Sequence, residues 1–231
     1  MAIVSRKMSR IILSMVLLLG FSMNPASAVV LTPGSFTALP GTTSAAEPQL
    51  AGTVIVDELV GFSFGAYGGT VFGDVQVRVV ESVDSTLDFY WRVFNDAASA
   101  GAIGDFRIGE FDTPVYNANY RIDGLGDDAP DRALLFDSPF DGYVNFNFGD
   151  GGLLAGSSSS FFFLDTDATE FARTGLYDLT NIGQTRISSA FSMYAPAYNV
   201  PEPSSLALLG LGLAGIGWRR QRTNNEATLP V

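Results

Sequence analysis

Between residues 52 and 194, apolar side chains recur at alternate positions, and turn-forming residues interrupt them every ten to fifteen residues. A two-residue period sends successive side chains to opposite faces of a strand, so such a chain can only fold into sheets with an apolar side. Val75, Val77 and Val79 share a face, with Gln76 and Arg78 opposite. Leu87, Phe89, Trp91 and Val93 share another, with Asp88 and Arg92 opposite. Val144, Phe146 and Phe148 alternate with Asn145 and Asn147; Ile187, Ser189, Phe191 and Met193 alternate with Arg186, Ser188 and Ser192. Turn signals stand between them at Gly68-Gly69, Asn95-Asp96, Gly124–Asp128 and Asp150-Gly151-Gly152. No stretch of the body carries a sustained helical period; Asp167–Arg173 predicts one helical turn at most.

The expected fold is therefore all-β: an antiparallel β-sandwich, immunoglobulin-like or jelly-roll-like, over residues 52–196. Strands are expected at 52–64, 69–82, 85–95, 103–111, 115–122, 132–136, 142–148, 159–165, 174–180 and 184–194. Residues 29–51 are rich in Pro, Thr, Ala and Gly and read as a first strand plus linker, or as loop. Trp91 reads as a core residue, and Ser157–Ser160 as a polar loop opening the Phe161-Phe162-Phe163 strand.

Missing residue types exclude most chemistry. The chain has no Cys and no His, which removes thiol nucleophiles, thiolate zinc, histidine triads and histidine-ligated metals. Its sole lysine is Lys7. A phosphate-binding Gly loop is absent too, since Gly149-Asp150-Gly151-Gly152 lacks the following Lys and helix. A carboxylate glycosidase needs only two acids at the right distance, and nothing ranks Glu58, Glu81, Glu110 or Glu170 for that role. The acids Asp123, Asp127, Asp128 and Asp131 cluster between glycines, and Asp165, Asp167 and Glu170 form a second group. Neither has calcium-loop spacing, so no metal and no cofactor is expected, and the body is not expected to be an enzyme. Residues 29–200 carry seven Arg against 22 Asp and Glu, a net charge of −15, which argues against nucleic acid as a partner.

The two ends of the chain read as addresses. Arg6, Lys7 and Arg10 precede an apolar run from Ile11 to Phe21, and Ala26-Ser27-Ala28 is a small-x-small site, so residues 1–28 are expected to be a signal peptide cut after Ala28 by signal peptidase. At the other end, residues 197–231 hold Pro201-Glu202-Pro203, an uncharged helix-like run Leu206–Trp218 and the basic cluster 219–222. The prolines keep their segment extended. At ~1.5 Å per residue the run is roughly 20 Å long, shorter than the ~30 Å hydrocarbon core, so it needs Trp218, Arg219, Arg220 and Arg222 as interfacial anchors. Its glycines either serve insertion alone or allow another membrane helix to approach closely.

This succession of leader, body, V-P-E-P-S, Gly-rich apolar run and R-R-x-R resembles the PEP-CTERM proteins, over about the last 25 residues. The nine residues Thr223–Val231 beyond the arginines are longer than is usual for such tails. The run Leu87–Asp96 is also similar to strand-to-turn segments of PEP-CTERM ectodomains and, loosely, of immunoglobulin-like bacterial surface domains. The resemblance implies a Gram-negative source and an exosortase-type membrane protease that recognises and processes Pro201, Glu202 and Pro203. It also implies transient inner-membrane anchoring, with Trp218, Arg219, Arg220 and Arg222 as membrane stop, followed by the cell surface or extracellular matrix. The expected role of the body is structural, with self-association. The alternative is a carbohydrate-binding module presenting Tyr67, Tyr116, Tyr120 or Tyr143, with extracellular polysaccharide as the partner.

Overall fold

The computed structural model of the protein describes residues 27–137 and 142–198. It is all-β, with two six-stranded sheets in which every strand pairing is antiparallel. The first sheet runs β1 (Val29–Val30), β7 (Asn117–Tyr120), β10 (Phe162–Asp165), β5 (Leu87–Asn95), β4 (Gly69–Glu81), β3 (Thr53–Ala66). The second runs β12 (Phe191–Pro196), β11 (Phe171–Asn181), β6 (Ile103–Gly109), β9 (Val144–Asn147), β8 (Arg132–Leu135), β2 (Phe36–Ala38). Residues 29–51 belong to the body, since they supply a short edge strand to each sheet. The sole helical element among the described residues is a 3-10 turn, Pro48–Leu50.

The sheets face each other across an aromatic core. Trp91 of β5 lies 5.9 Å from Phe106 of β6 and 6.3 Å from Phe146 of β9, centroid to centroid, and Phe162 of β10 lies 4.8 Å from Phe146. The alternations of β4, β5 and β9 send Val75, Val77, Val79, Phe89, Trp91, Val93, Val144 and Phe146 into this layer, all of them buried. Each such side chain contributes about 1.5–3 kcal/mol by leaving water. The β3–β4 hairpin closes on Tyr67 and Gly68, with φ of 54° and 76°. That pair of left-handed residues sets the twist that a two-residue hairpin needs, and glycine takes the second position without strain.

The structure departs from the expectations in three places. The alternation beginning at Ile187 does not mark a strand: β12 starts at Phe191, Ile187 is exposed, and Ser188 turns inward to accept a hydrogen bond from Leu179 N. The helical turn expected at Asp167–Arg173 is absent; β11 begins at Phe171 because Phe171 and Ala172 pair with Pro196 and Ala195. Finally, the outer face of β5 is not exposed. Leu50, Val80, Tyr90, Phe161 and Phe163 form a second small core there, with Ala28 packed against it. Asp88, expected on a polar face, is wholly buried within this layer. The triple phenylalanine carried the signal, because a strand apolar at consecutive positions needs cover on both faces.

Candidate functional site

The sorting residues Pro201, Glu202, Pro203, Trp218, Arg219, Arg220 and Arg222, the run Leu206–Trp218, and Ala26 all lie outside the described residues. Among the described residues no helix is long and apolar enough to cross a membrane. The points where both addresses join the body are described, however. At the N-terminal junction Ser27 Oγ and Ala28 N donate to Glu47 Oε1 at 2.9 and 2.6 Å, and Asn119 Nδ2 donates to Ser27 O. Glu47 is buried, and its Oε2 has no hydrogen-bond partner. At the C-terminal junction the Tyr198 hydroxyl donates to Asp167 Oδ1 at 2.7 Å and lies 3.0 Å from Thr113 Oγ1. Burial, with Asp167 beside it, pushes that phenol up to about 12, so it stays a donor at any ordinary pH.

The outer face of the second sheet carries a groove of about 380 Å³. Tyr143 and Phe136 form one wall, Leu176 and Ala190 the other, and Gly109 the floor. A methyl group on Gly109 would stand 2.7 Å from the Tyr143 ring, so the glycine is what lets this ring approach β6. At one end Arg107 and Asp178, directly paired on β6 and β11, form a two-pronged salt bridge with Nε···Oδ1 at 2.6 Å and Nη2···Oδ2 at 2.7 Å. The hydrogen bonds that Arg107 donates to Asp178 raise its guanidinium above the ordinary range. Sequence reasoning singled out Tyr143 but missed Arg107 and Asp178, which are 71 residues apart and meet only through the strand pairing.

The other three tyrosines do not join Tyr143. The Tyr67 hydroxyl donates to Ala102 O and accepts from Ile182 N, which pins its ring over Gly101. Tyr116 donates to Phe111 O, and both Tyr116 and Tyr120 pack on the main core. The structure thus brings no platform of four tyrosines together.

Nor do the acidic groups converge. Arg121 holds Asp123 with two hydrogen bonds and Ser44 adds two more, so the Asp123 carboxyl lies well below the usual carboxylate range. Asp127 accepts from the backbone and hydroxyl of Ser158, and Asp128 from Ala129 N. Ser157–Ser160 are tied in by such contacts; Ser159 is buried and bridges to Asp128. Glu58 is engaged by Arg173 and Tyr194. No group of three side chains placed to hold a metal ion occurs among the described residues.

Asp88 and Asp165 are direct partners across β5 and β10. Burial drives both carboxyls above the carboxylate range. Asp88 Oδ2 accepts from Ser82 Oγ at 2.6 Å, while Oδ1 has no donor. A proton on that oxygen would be offered to Asp165, an arrangement in which the two acids share one. Asp88 is sealed from solvent.

Comparison with curated proteins found no match, and neither did comparison with solved structures. Against family models the outcome is confined to the C-terminal stretch: residues 199–221 match the PEP-CTERM protein-sorting motif, and the chain carries that sorting signal.

Proposed function

We propose that this protein is a structural component of the cell surface or extracellular matrix, built as a β-sandwich without enzymatic activity. The PEP-CTERM motif implies exosortase-dependent sorting of an exported protein that is processed at a membrane. That motif is the single observation that carries the reading. In it, Pro201, Glu202 and Pro203 present an extended strand to an exosortase-type protease, the run Leu206–Trp218 holds that strand at the bilayer, and the arginines stop translocation. Signal peptidase removes the leader after Ala28. The acidic body, cross-braced by two sheets and free of cysteine, suits a role in which folding alone supplies durability.

Replacing Arg219, Arg220 and Arg222 together with Glu is expected to mis-sort the protein. The check is the intact mass of material from envelope and medium, in cells with and without the sorting protease. Protease-dependent loss of C-terminal mass in the native chain, absent from the triple variant, is the expected result. Unchanged processing of the variant would remove the role given to the arginines.

The groove beside Tyr143 favours a second reading, a carbohydrate-binding module. An exposed ring flanked by a fixed Arg–Asp pair is an arrangement that can stack on a sugar and hydrogen-bond its hydroxyls. On this reading Tyr143→Ala abolishes binding on a glycan array, whereas a native chain that binds no glycan dismisses it.

A further inference from the structure

Four strands stand at sheet edges, and they are not alike. β1 has two residues, β2 has three, and β12 has six and ends in Pro196. β3 is different: fourteen residues pair with β4 on one side, and no described strand lies on the other. An unpaired edge presents a row of free N–H and C=O groups that can receive another strand. Folded proteins ordinarily block such edges with lysine, proline or brevity, and Thr53–Ala66 has none of these. The edge is also apolar. Leu59 is 62% exposed, and Val54 and Ile55 are 46% and 41% exposed.

Charge points the same way. Two copies of a body with a net charge of −15 repel, and they can approach only where the acids are covered. Two of the body's seven arginines cover the acids of this strand. Arg78 Nη2 bonds Asp57 Oδ2 at 2.7 Å, with Gln76 on the other oxygen, and Arg173 bonds Glu58 together with Tyr194. Glu58 is held below the carboxylate range by these partners, so the ion pair persists at neutral pH.

We propose that β3 is the docking edge for a second copy of this chain, joined antiparallel across a two-fold axis at Leu59. A two-fold axis makes the contact self-complementary. Centring it on Leu59 sets Asp57 against Gly61 and Glu58 against Val60, so no carboxylate faces another. The register irregularity between Val54 and Val56 ends the regular seam, which then runs from Ile55 to Ser63. At ~3.4 Å per residue that seam spans about 30 Å. Such a contact is small, driven by main-chain hydrogen bonds and sensitive to concentration, and it suits chains crowded on a surface or in a polymer. The proposal names the partner for the structural role above and takes its biological meaning from that reading, but its chemistry is independent of sorting.

The test uses the full chain in mild detergent. Sedimentation should show a concentration-dependent monomer–dimer equilibrium, and Leu59→Lys should shift it to monomer without changing the circular dichroism or melting of the body. Because the chain has no cysteine, Leu59→Cys provides a clean probe. Directly opposed residues of antiparallel strands lie close enough for a disulfide, so this variant should cross-link many-fold more than Leu154→Cys, at a comparably exposed site elsewhere. A monomeric native chain, equal cross-linking by the two cysteine variants, or a dimer that survives Leu59→Lys overturns the proposal. Mis-sorting in cells leaves all three readouts untouched, so failure of the sorting reading and failure of this one are separable.

Discussion

An Asp88→Asn variant is expected to be more stable than the native chain at pH 8 and to lose most of the native pH dependence. In the folded protein burial, opposed by the Ser82 hydrogen bond and reinforced by Asp165 and Asp84, pushes the Asp88 carboxyl up to about 8. In the unfolded chain the same group ionises near the ordinary value of about 3.9. Between those values the folded state holds a proton that the unfolded state has released. A raised carboxylate of this kind gives its full stability below about pH 4, and that stability is lost as pH rises to about 8. Each tenfold difference in proton affinity is worth about 1.4 kcal/mol, so the window amounts to several kcal/mol, large beside a total stability of about 5–15 kcal/mol. Asp165 is displaced the same way by burial. The groups around the pair are Ser82, Asp84, Glu47, Tyr90 and Arg121, and none of the carboxylates among them relieves it. A carboxamide in place of the Asp88 carboxyl would still accept from Ser82 and donate to Asp165, with no proton to lose. Urea unfolding at about pH 5 and at pH 8 decides the matter: the native midpoint falls at the higher pH and the variant's does not. Equal pH dependence in the two proteins would mean that the pair does not share a proton. The exposed acids with lowered values, Glu58, Asp84 and Asp123, act in the opposite sense. Their contribution is present at neutral pH and disappears as the solution is acidified through their folded values.

Trp91→Ala is the substitution expected to cost most in the core. The indole is fully buried at the centre of the aromatic layer, with Phe106, Phe111, Phe146 and Phe162 at centroid distances of 5.9, 6.1, 6.3 and 6.1 Å. Truncating such a side chain loses its transfer free energy and leaves a cavity, together roughly 3–5 kcal/mol. No disulfide supports the remaining structure. The melting midpoint should drop by on the order of 10 °C in a domain of this size. Trp91→Phe should lose much less, because it keeps most of the ring contacts and removes an indole N–H that is buried without a partner. A calorimetric scan in which the two variants melt together would show that the neighbouring rings close over the site.

How far the sequence reveals this molecule depends on the range of the forces involved. The long central strands were legible because alternation is a local property. The expected 69–82 and 103–111 are found as Gly69–Glu81 and Ile103–Gly109. The expected 85–95 is Leu87–Asn95. Strand order was not legible, since β1 joins β7 and β2 joins β8 across about ninety residues of intervening chain, and no local pattern encodes that choice. The burial of Asp88 escaped for a related reason. It depends on Leu50, Phe161 and Phe163 closing over the outer face of β5, and none of them is near Asp88 in the sequence. At the candidate groove, a single exposed tyrosine could be guessed, but the Arg107–Asp178 pair exists only once β6 and β11 are in register. The sorting motif was fully legible, because a short contiguous signal needs no tertiary structure to be recognised.

Tyr198 sets a clearance. Its ring is fastened to the body through Asp167, and the matched motif begins at the very next residue. Only Asn199 and Val200 separate the fastened ring from Pro201, a reach of about 10 Å at full extension. On the sorting reading proposed above, a protease working on that proline would meet the folded body almost at once. Its mouth would then have to be shallow enough to fit beneath the body, or it would first have to peel Tyr198 away, and on that reading the headroom over a bilayer selects which domains such a tail can carry.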